Sequence, residues 1–250
     1  MGKCLHIERR SHRKSGPGKI LRIILVRVPL CLLAASILLV LLFRWVPVTY
    51  TPLMLKRSIQ NAGVKDYRNE REWVGIEDIS PNLIRAVMAS EDSRFMQHKG
   101  FDFEELDKML EAHRKRGVKI RGCSTISQQT AKNCFTFGSH SWLRKGVEAY
   151  YTVLIEFFWS KERIMEVYLN VAETGKGLFG VEAASMKYFG RHASSVTLRQ
   201  AAEIACVLPD PLHRTPSYVA ARMPGRLSLI VRRAYQTSAS LREAPVRKVK

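Results

Sequence analysis

The chain has 250 residues, of which 46% are hydrophobic, and 41 lysines and arginines stand against 22 aspartates and glutamates, giving a formal net charge of +19. This length is enough to bury one full core, but it excludes two large domains in addition to a membrane segment. The composition therefore predicts one domain of roughly 200 residues plus an N-terminal segment.

The positive charge is unevenly distributed along the chain. The first 30 residues hold eight bases and one acid, which leaves 33 bases and 21 acids, a surplus of 12, in the remainder. Such a surplus favours an anionic partner. A merely solvated surface is the alternative for most of these residues, notably for the basic tail at residues 241–250.

Residues 20–46 have the properties of a membrane anchor. Val28–Phe43 carries no charge, and the flanking arginines and Trp45 can extend the span toward the roughly 30 Å of hydrocarbon in a bilayer. The leader, residues 1–19, has six bases and one acid, so the positive-inside rule keeps it in the cytoplasm and places residue 47 onward outside. For a domain outside, lipid head groups and lipid-linked phosphates are better anionic partners than nucleic acid.

A cleaved signal peptide is the competing interpretation of this segment. Its cleavage site would follow the apolar run, whereas the small residues Ala34-Ala35-Ser36 lie inside it. We therefore favour a retained anchor.

The rest of the chain divides into a membrane-proximal connection, residues 47–74, and a domain, residues 75–240. Helical stripes and caps recur, and no run alternates with the period of a strand ladder, so the domain should be mainly α. Glycines at 175, 177 and 180 indicate a flexible loop. The cysteines lack metal-ligand spacing. Cys123, Cys134 and Cys206 are expected to be buried free thiols, with a disulfide between two of them as the alternative.

Glu91 ends a predicted helix that begins at Ser80-Pro81. It follows Ile84 by seven residues and Val87 by four, so it shares their buried stripe. Loss of hydration raises the pKa of such a carboxyl group and makes it a candidate proton carrier near neutral pH. The alternative is a helix-end glutamate paired with Arg94 in solvent.

A second polar stretch opens another helix. Thr125 and Gln128 have the spacing of a capping box, which gathers backbone N–H groups at a natural anion site. Gln129 and Lys132 lie three residues apart and can offer an amide and a cation to the same ligand. An ordinary capped helix is the alternative.

A long helix is predicted from Trp142 to Phe158. Arg144 and Lys145 lie near Glu148 and should keep it ionised, unlike Glu91. Two carboxyl groups in divergent environments are the usual arrangement for glycosyl chemistry, whereas a surface salt bridge of little energetic value is the alternative. The predicted core stripe of this helix comprises Leu143, Val147, Tyr151, Leu154 and Phe158.

Five blocks of sequence, in this order, resemble the peptidoglycan glycosyltransferases of the penicillin-binding proteins. The blocks are Glu91-Asp92-x-x-Phe95-x-x-His98-x-Gly100-x-Asp102, Gly122-x-Ser124-Thr125-Ile126-Ser127-Gln128-Gln129-x-x-Lys132-Asn133, Arg144-Lys145-x-x-Glu148, Lys161-x-x-Ile164-x-x-x-Tyr168-Leu169-Asn170 and Gly180-Val181-x-Ala183-Ala184-x-x-x-Tyr188-Phe189-Gly190. The match covers residues 75–211. Because the chain has no room for a transpeptidase domain after it, it is similar to the monofunctional biosynthetic transglycosylases.

The resemblance implies a mainly α, lysozyme-like fold, a membrane-embedded jaw near residues 135–145, and an enzyme of the bacterial inner membrane. Its substrates would be lipid II and nascent lipid-linked glycan, without nucleic acid and with cell-wall elongation or division proteins as further partners. Glu91 would be the catalytic base. Glu148, with Arg144 and Lys145, would assist the departing pyrophosphate, with room for a divalent cation, Mg²⁺ or Mn²⁺, but no covalently bound cofactor.

The family's substrate-binding positions also carry over to this chain by motif. His98 and Asn170 are expected to support the site structurally more than to take part in the chemistry. The full set is Asp92, Phe95, His98, Ser124, Thr125, Gln128, Gln129, Lys132, Arg144, Lys145 and Asn170.

Two positions depart from the family pattern, and two other classes of function stay open. Cys123 stands where a small residue is usual, and His140 stands where relatives often carry arginine, which would make phosphate binding weaker and more dependent on pH. A lytic enzyme would share the fold but would not need the anchor or the phosphate-facing cations. A membrane-anchored scaffold would not need Glu91.

Overall fold

A computed structural model of the chain describes residues 23–117, 124–137 and 141–241. The chain divides into two units, Met1–Leu42 and Phe43–Lys250. The described part of the first unit is a π-helical turn, Ile23–Arg27, that continues into helix α1, Val28–Phe43. Within the described residues, Leu25–Phe43 is the one helical stretch long and apolar enough to cross a membrane, with 19 residues and a mean hydropathy of 2.6.

The second unit is mainly α, as the sequence predicts. Short 3-10 turns at Ile76–Asp78 and Ala193–Ser195 join some of its elements. Its α-helices are α2 (Pro52–Gln60), α3 (Pro81–Glu91), α4 (Phe103–Arg116), α5 (Ile126–Phe135), α6 (Trp142–Phe158), α7 (Lys161–Val171), α8 (Val181–Phe189), α9 (Leu198–Val207), α10 (Pro216–Arg222) and α11 (Pro224–Gln236).

Helix starts follow the local signals in the sequence. Ser80 caps α3 with Pro81 as its first residue, and the predicted capping box of Thr125 with Gln128 opens α5. Each cap satisfies backbone N–H groups that have no partner within the helix. Two packing groups result, in which α3 lies against α9 and α11, and α5 lies against α6 and α7.

A small sheet lies beside these helices. Its strands β1 (Glu70–Arg71), β2 (Glu173–Gly175) and β3 (Leu178–Phe179) have the order β1-β3-β2, with β1 parallel and β2 antiparallel to β3. The prediction of a flexible loop here was wrong, because β2 and β3 are buried and Gly177 forms their turn at a φ of 71°. Strands of two or three residues are too short to show alternation.

Helix α6 buries a different face from the predicted one. Leu143 is 80% exposed, and the buried residues are Glu148, Thr152 and Ile155. The spacing of apolar residues identifies the buried face of a helix only where that face is apolar. Here the polar face holds an ion pair described below, and large apolar side chains such as Trp142, 93% exposed, remain uncovered.

Two of the predicted free thiols are confirmed. Cys134 and Cys206 are unpaired and buried. Cys123 lies outside the described residues, as does His140.

A buried ion pair joins α6 to α7 and supports α5. Lys161 Nζ lies 2.7 Å from Glu156 Oε1, and both side chains are less than one-tenth exposed. The Ser127 hydroxyl of α5 donates to the same carboxylate. The ammonium also lies 4.4 Å from the centre of the Phe95 ring, in the loop that follows α3.

We expect Lys161→Met to destabilise the protein strongly, because it leaves Glu156 as an uncompensated buried charge. The cost should be about 3–5 kcal/mol, which corresponds to a fall in melting temperature of about 6–20 °C for a domain of this size. Thermal unfolding of the full chain in detergent, followed by circular dichroism, measures it.

Lys187→Met is the matched control, since Lys187 pairs with Glu70 at a site where both side chains are more than half exposed. It should cost about 1 kcal/mol or less. Equal melting temperatures for the two variants would contradict the assignment of the Glu156 pair as a buried support.

Candidate active site

Glu91 is the last residue of α3 and lies at the edge of the predicted buried stripe. Ile84 and Val87 are buried, whereas Glu91 is partly exposed. Its Oε1 atom accepts a hydrogen bond of 2.8 Å from the Ser90 hydroxyl, and its Oε2 atom accepts one of 3.2 Å from Gln129 Nε2. Glu91 therefore faces solvent with one side and protein donors with the other.

The alternative pairing of Glu91 with Arg94 was wrong. Arg94 forms an ion pair with Glu104, and its Nε atom lies 3.3 Å from Asp102 Oδ2. Both partners lie at the start of α4, so the guanidinium is directed to that helix.

Burial raises the pKa of Glu91 above that of an ordinary glutamate. The hydrogen bonds from Ser90 and Gln129 and the charge of Arg226 lower the pKa, while the charge of Asp92 raises it, and burial prevails. A carboxyl group whose pKa moves toward neutrality is a more effective proton acceptor than an ordinary one. Burial thus makes Glu91 easier to protonate than an ordinary glutamate.

Asp92, next in the chain, is directed into the core and holds α5 in place. Its side chain is buried, its Oδ1 atom lies 3.0 Å from His98 Nε2, and its Oδ2 atom accepts a bond of 3.0 Å from the backbone N–H of Ile126. A carboxylate at a helix N-terminus is stabilised by the helix dipole. The anion predicted for the start of α5 is thus supplied by the protein itself.

Several residues predicted to bind substrate are engaged inside the protein instead. Phe95 is fully buried, and Thr125 and Gln128 bond to each other's backbone N–H groups in the cap of α5. The Thr125 hydroxyl also donates to the Gly100 carbonyl at 2.7 Å. With Asp92 and His98, these residues support the site and do not line it.

Asn170 is likewise a structural support. Its Oδ1 atom accepts from the Val74 N–H at 2.9 Å, and its Nδ2 atom donates to the carbonyls of Val74 and Glu166 at 2.9 and 2.8 Å. All of its amide hydrogen-bonding groups therefore hold backbone segments that lie far apart in the sequence.

Gln129 connects Glu91 to an open cavity of 380 Å³. Lys132 and Arg144 line the same cavity, which brings three of the predicted residues together. The remaining polar lining was not predicted as part of the site, and it comes from α2, α5, α7 and the segments that follow α5, α7 and α9. That lining comprises Lys56, Arg57, Asn133, Thr136, Tyr168, Glu173 and Asp210.

Arg57 and Glu173 show why this wall was not predicted. Two guanidinium nitrogens of Arg57 each donate to a different carboxylate oxygen of Glu173 at 2.8 Å. The two residues are 116 positions apart, and neither stands in one of the five sequence blocks. No local signal could have placed them together.

Glu148 forms the second charged group of the site. Its carboxylate accepts from Arg144 Nη1 at 2.6 Å and also from Lys145 Nζ, and the residue is 2% exposed. The interpretation as a surface salt bridge was therefore wrong. Arg144, Lys145 and Lys132 are three cations near this one carboxylate. The net positive charge suits a phosphorylated ligand.

Lys132 is accessible to solvent, yet protein surrounds it on most sides. Burial lowers the pKa of its ammonium group, and the nearby charges of Arg144 and Lys145 act in the same direction, against Glu148. An anionic ligand would relieve this repulsion.

The donor groups near Glu148 do not fit a divalent cation, because both carboxylate oxygens already bind cationic side chains. Asp92, His98 and Asp102 also lie close together. Asp92 and Asp102, however, accept from backbone N–H groups, and the Arg94 guanidinium stands beside Asp102. Neither group of residues therefore suits a divalent cation.

Ser124 and Lys145 are the last two of the residues that were predicted to bind substrate. Ser124 begins the described segment before α5, and its carbonyl accepts a bond of 3.3 Å from Gln129 Nε2. The arrangement of Glu91, Gln129 and the cations near Glu148 can therefore place a base beside a site for phosphates.

We expect Lys132→Gln to weaken the binding of inorganic pyrophosphate by the full chain in detergent about tenfold, because hydrogen bonds to charged groups contribute about 1.5 kcal/mol or more. Added salt should weaken the binding by the native chain as well. Isothermal titration calorimetry measures both effects.

Lys108→Gln is the control, since Lys108 pairs with Glu104 on the exposed face of α4. Equal pyrophosphate affinity for Lys132→Gln and the native chain would show that the cations of the cavity do not form a phosphate site.

Comparison with known proteins shows the family of the chain. The family described as Transglycosylase matches residues 56–235. The biosynthetic peptidoglycan transglycosylase of Pseudomonas putida F1 is 49% identical over 79% of this chain and 86% of its own length. Proteins of the same name from Bdellovibrio bacteriovorus and Haemophilus influenzae are 46% and 47% identical, over 79% and 74% of this chain and 81% and 76% of theirs. The chain therefore belongs to the transglycosylase family, which is consistent with a mainly α, lysozyme-like fold.

Proposed function

We propose that the protein polymerises the glycan strands of peptidoglycan from lipid II. The observation that carries the proposal is the position of Gln129, which bonds to Glu91 and lines the cavity that holds Lys132 and Arg144. A base with a raised pKa thus stands beside a cluster of cations. The names of the similar proteins support peptidoglycan as the product.

Glu91 acts as the general base in this proposal. It takes the proton from the 4-hydroxyl group of the GlcNAc unit of lipid II, and the oxygen attacks the anomeric carbon at the end of the growing lipid-linked glycan. A new C–O bond forms as the bond to the pyrophosphate breaks, with inversion at that carbon. The electron pair leaves on undecaprenyl diphosphate.

The cations assist the departure of this pyrophosphate. Lys132, Arg144 and Lys145 supply positive charge where negative charge develops, which is the main way that enzymes stabilise a departing phosphate. Glu148 holds Arg144 and Lys145 in place through its two carboxylate oxygens. In this proposal Glu148 is a positioning residue for the cations.

A membrane location fits the substrate. The helix at Leu25–Phe43 has the length and hydropathy of a span, and the exposed apolar residues Trp142 and Phe157 of α6 suit a lipid surface. The basic leader favours an anchor in the bacterial inner membrane with the catalytic domain outside. Cell-wall elongation or division proteins are the expected protein partners.

We expect the detergent-solubilised chain to convert purified lipid II into lipid-linked glycan, and Glu91→Gln to abolish this activity, because an amide cannot accept the proton. Gel electrophoresis of labelled product measures it. The control Glu111→Gln changes an exposed glutamate of α4 that pairs with Lys115 and should retain full activity.

If the native chain shortens the glycan strands of completed peptidoglycan and does not polymerise lipid II, the result would support the lytic alternative instead. Polymerisation by Glu91→Gln at the native rate would contradict the assignment of the base.

A further inference from the structure

We propose that Tyr168 is a positioning residue for Glu91 and acts through Gln129. Its hydroxyl group restrains the side-chain amide of Gln129, whose NH₂ group donates to the Glu91 carboxylate. The catalytic consequence rests on the proposed role of Glu91 as the base. The positioning itself is a property of the protein without substrate.

The geometry consists of two hydrogen bonds in series. The Tyr168 hydroxyl donates to Gln129 Oε1 at 3.2 Å, and Gln129 Nε2 donates to Glu91 Oε2 at 3.2 Å. The same Nε2 atom lies 3.3 Å from the Ser124 carbonyl. Each end of the amide therefore meets a group of the complementary kind.

A half-turn of the amide would reverse this arrangement. The Gln129 oxygen would then face the Glu91 carboxylate and the Ser124 carbonyl, which are both acceptors. These two acceptors therefore set the orientation of the amide. The Tyr168 hydroxyl donates to Oε1 on the far side, which restrains the amide in this orientation and polarises its bond to Glu91.

Tyr168 is well suited to this role because it cannot easily lose its proton. The residue is 1% exposed, and burial raises the pKa of its hydroxyl well above the ordinary value, with the charges of Glu91 and Asp92 acting in the same direction. Its neighbours Ile164, Leu169 and Val171 on α7 are buried as well, which fixes the ring.

Groups from several elements influence the charge on Glu91. Ser90 and Gln129 donate to it, the positive charge of Arg226 on α11 stabilises its ionised form, and the negative charge of Asp92 opposes ionisation. Cys206 of α9 is another nearby titratable group, with a pKa raised by burial. Because the bond from Gln129 lowers the pKa of Glu91, its loss should raise that pKa.

The test compares Tyr168→Phe, Gln129→Ala and the double variant in the full chain. Tyr168→Phe removes one oxygen and keeps the buried ring. The control Tyr188→Phe removes a hydroxyl that donates to the Thr174 carbonyl at 3.0 Å. Circular dichroism verifies that each variant is folded.

The first measurement is the titration of the Glu91 carboxyl carbon by ¹³C NMR, assigned with Glu91→Gln. The midpoint should move to higher pH in Tyr168→Phe and in Gln129→Ala. The double variant should titrate like Gln129→Ala, since Tyr168 acts through the amide. Tyr188→Phe should match the native chain.

The second measurement is polymerisation of lipid II. Tyr168→Phe should lower kcat/KM about three- to tenfold, the usual effect of losing one hydrogen bond, mainly through kcat. The acidic limb of its pH profile should move to higher pH. A residue that only binds substrate would raise KM and leave the titration of the free protein unchanged.

The proposal is overturned if Tyr168→Phe titrates like the native chain, or if the tyrosine substitution shifts the midpoint equally with and without Gln129. The proposed role of Glu91 as the base fails separately, if polymerisation of lipid II does not depend on Glu91. The NMR titration decides the positioning role in either case.

Discussion

The site depends on the cost of burying the charge of Glu91. This carboxylate ends α3, where the helix dipole disfavours a negative charge, and surrounding protein removes much of its hydration. Donors from Ser90 and Gln129 and the charge of Arg226 offset part of that cost. The balance leaves a carboxyl group that is easier to protonate than an ordinary glutamate, which is the property that a base for a sugar hydroxyl requires. Every element that contacts Glu91 can change this balance.

The next residue, Asp92, is also a carboxylate with little hydration, but its contacts hold the structure together. Asp92 is buried, but the backbone N–H at the start of α5 and His98 compensate its charge. A single step along the chain thus separates a carboxylate that bonds to Gln129 beside the cavity from one that fixes the helix carrying Gln129 and Lys132. The buried pair of Glu156 and Lys161 holds that helix from its other side through Ser127. The site is therefore supported by charges that are fully paired inside the core.

Local signals in the sequence predicted the helix caps, the end of α3 at Glu91 and the pairing around Glu148, since each involves residues within four positions of one another. Signals of this kind could not reveal contacts across the fold. The bonds between Arg57 and Glu173, and between Asn170 and Val74, join distant segments, and the hairpin at residues 173–179 is too short to show a strand pattern. Apolar periodicity misplaced the buried face of α6 because that helix buries Glu148 and exposes Leu143. Family motifs likewise did not separate residues that line the cleft, such as Gln129, from supports such as Phe95.

The most direct test of the central claim is the pH dependence of kcat/KM for lipid II polymerisation by the full chain. In the proposed mechanism protonation of Glu91 stops the reaction, so activity should fall as pH decreases through the pKa of Glu91. Because burial raises that pKa, the acidic limb should lie above the value of 4.5 for an ordinary glutamate. A profile that stays flat down to that pH would contradict the account, because it would show that burial does not tune the group that accepts the proton.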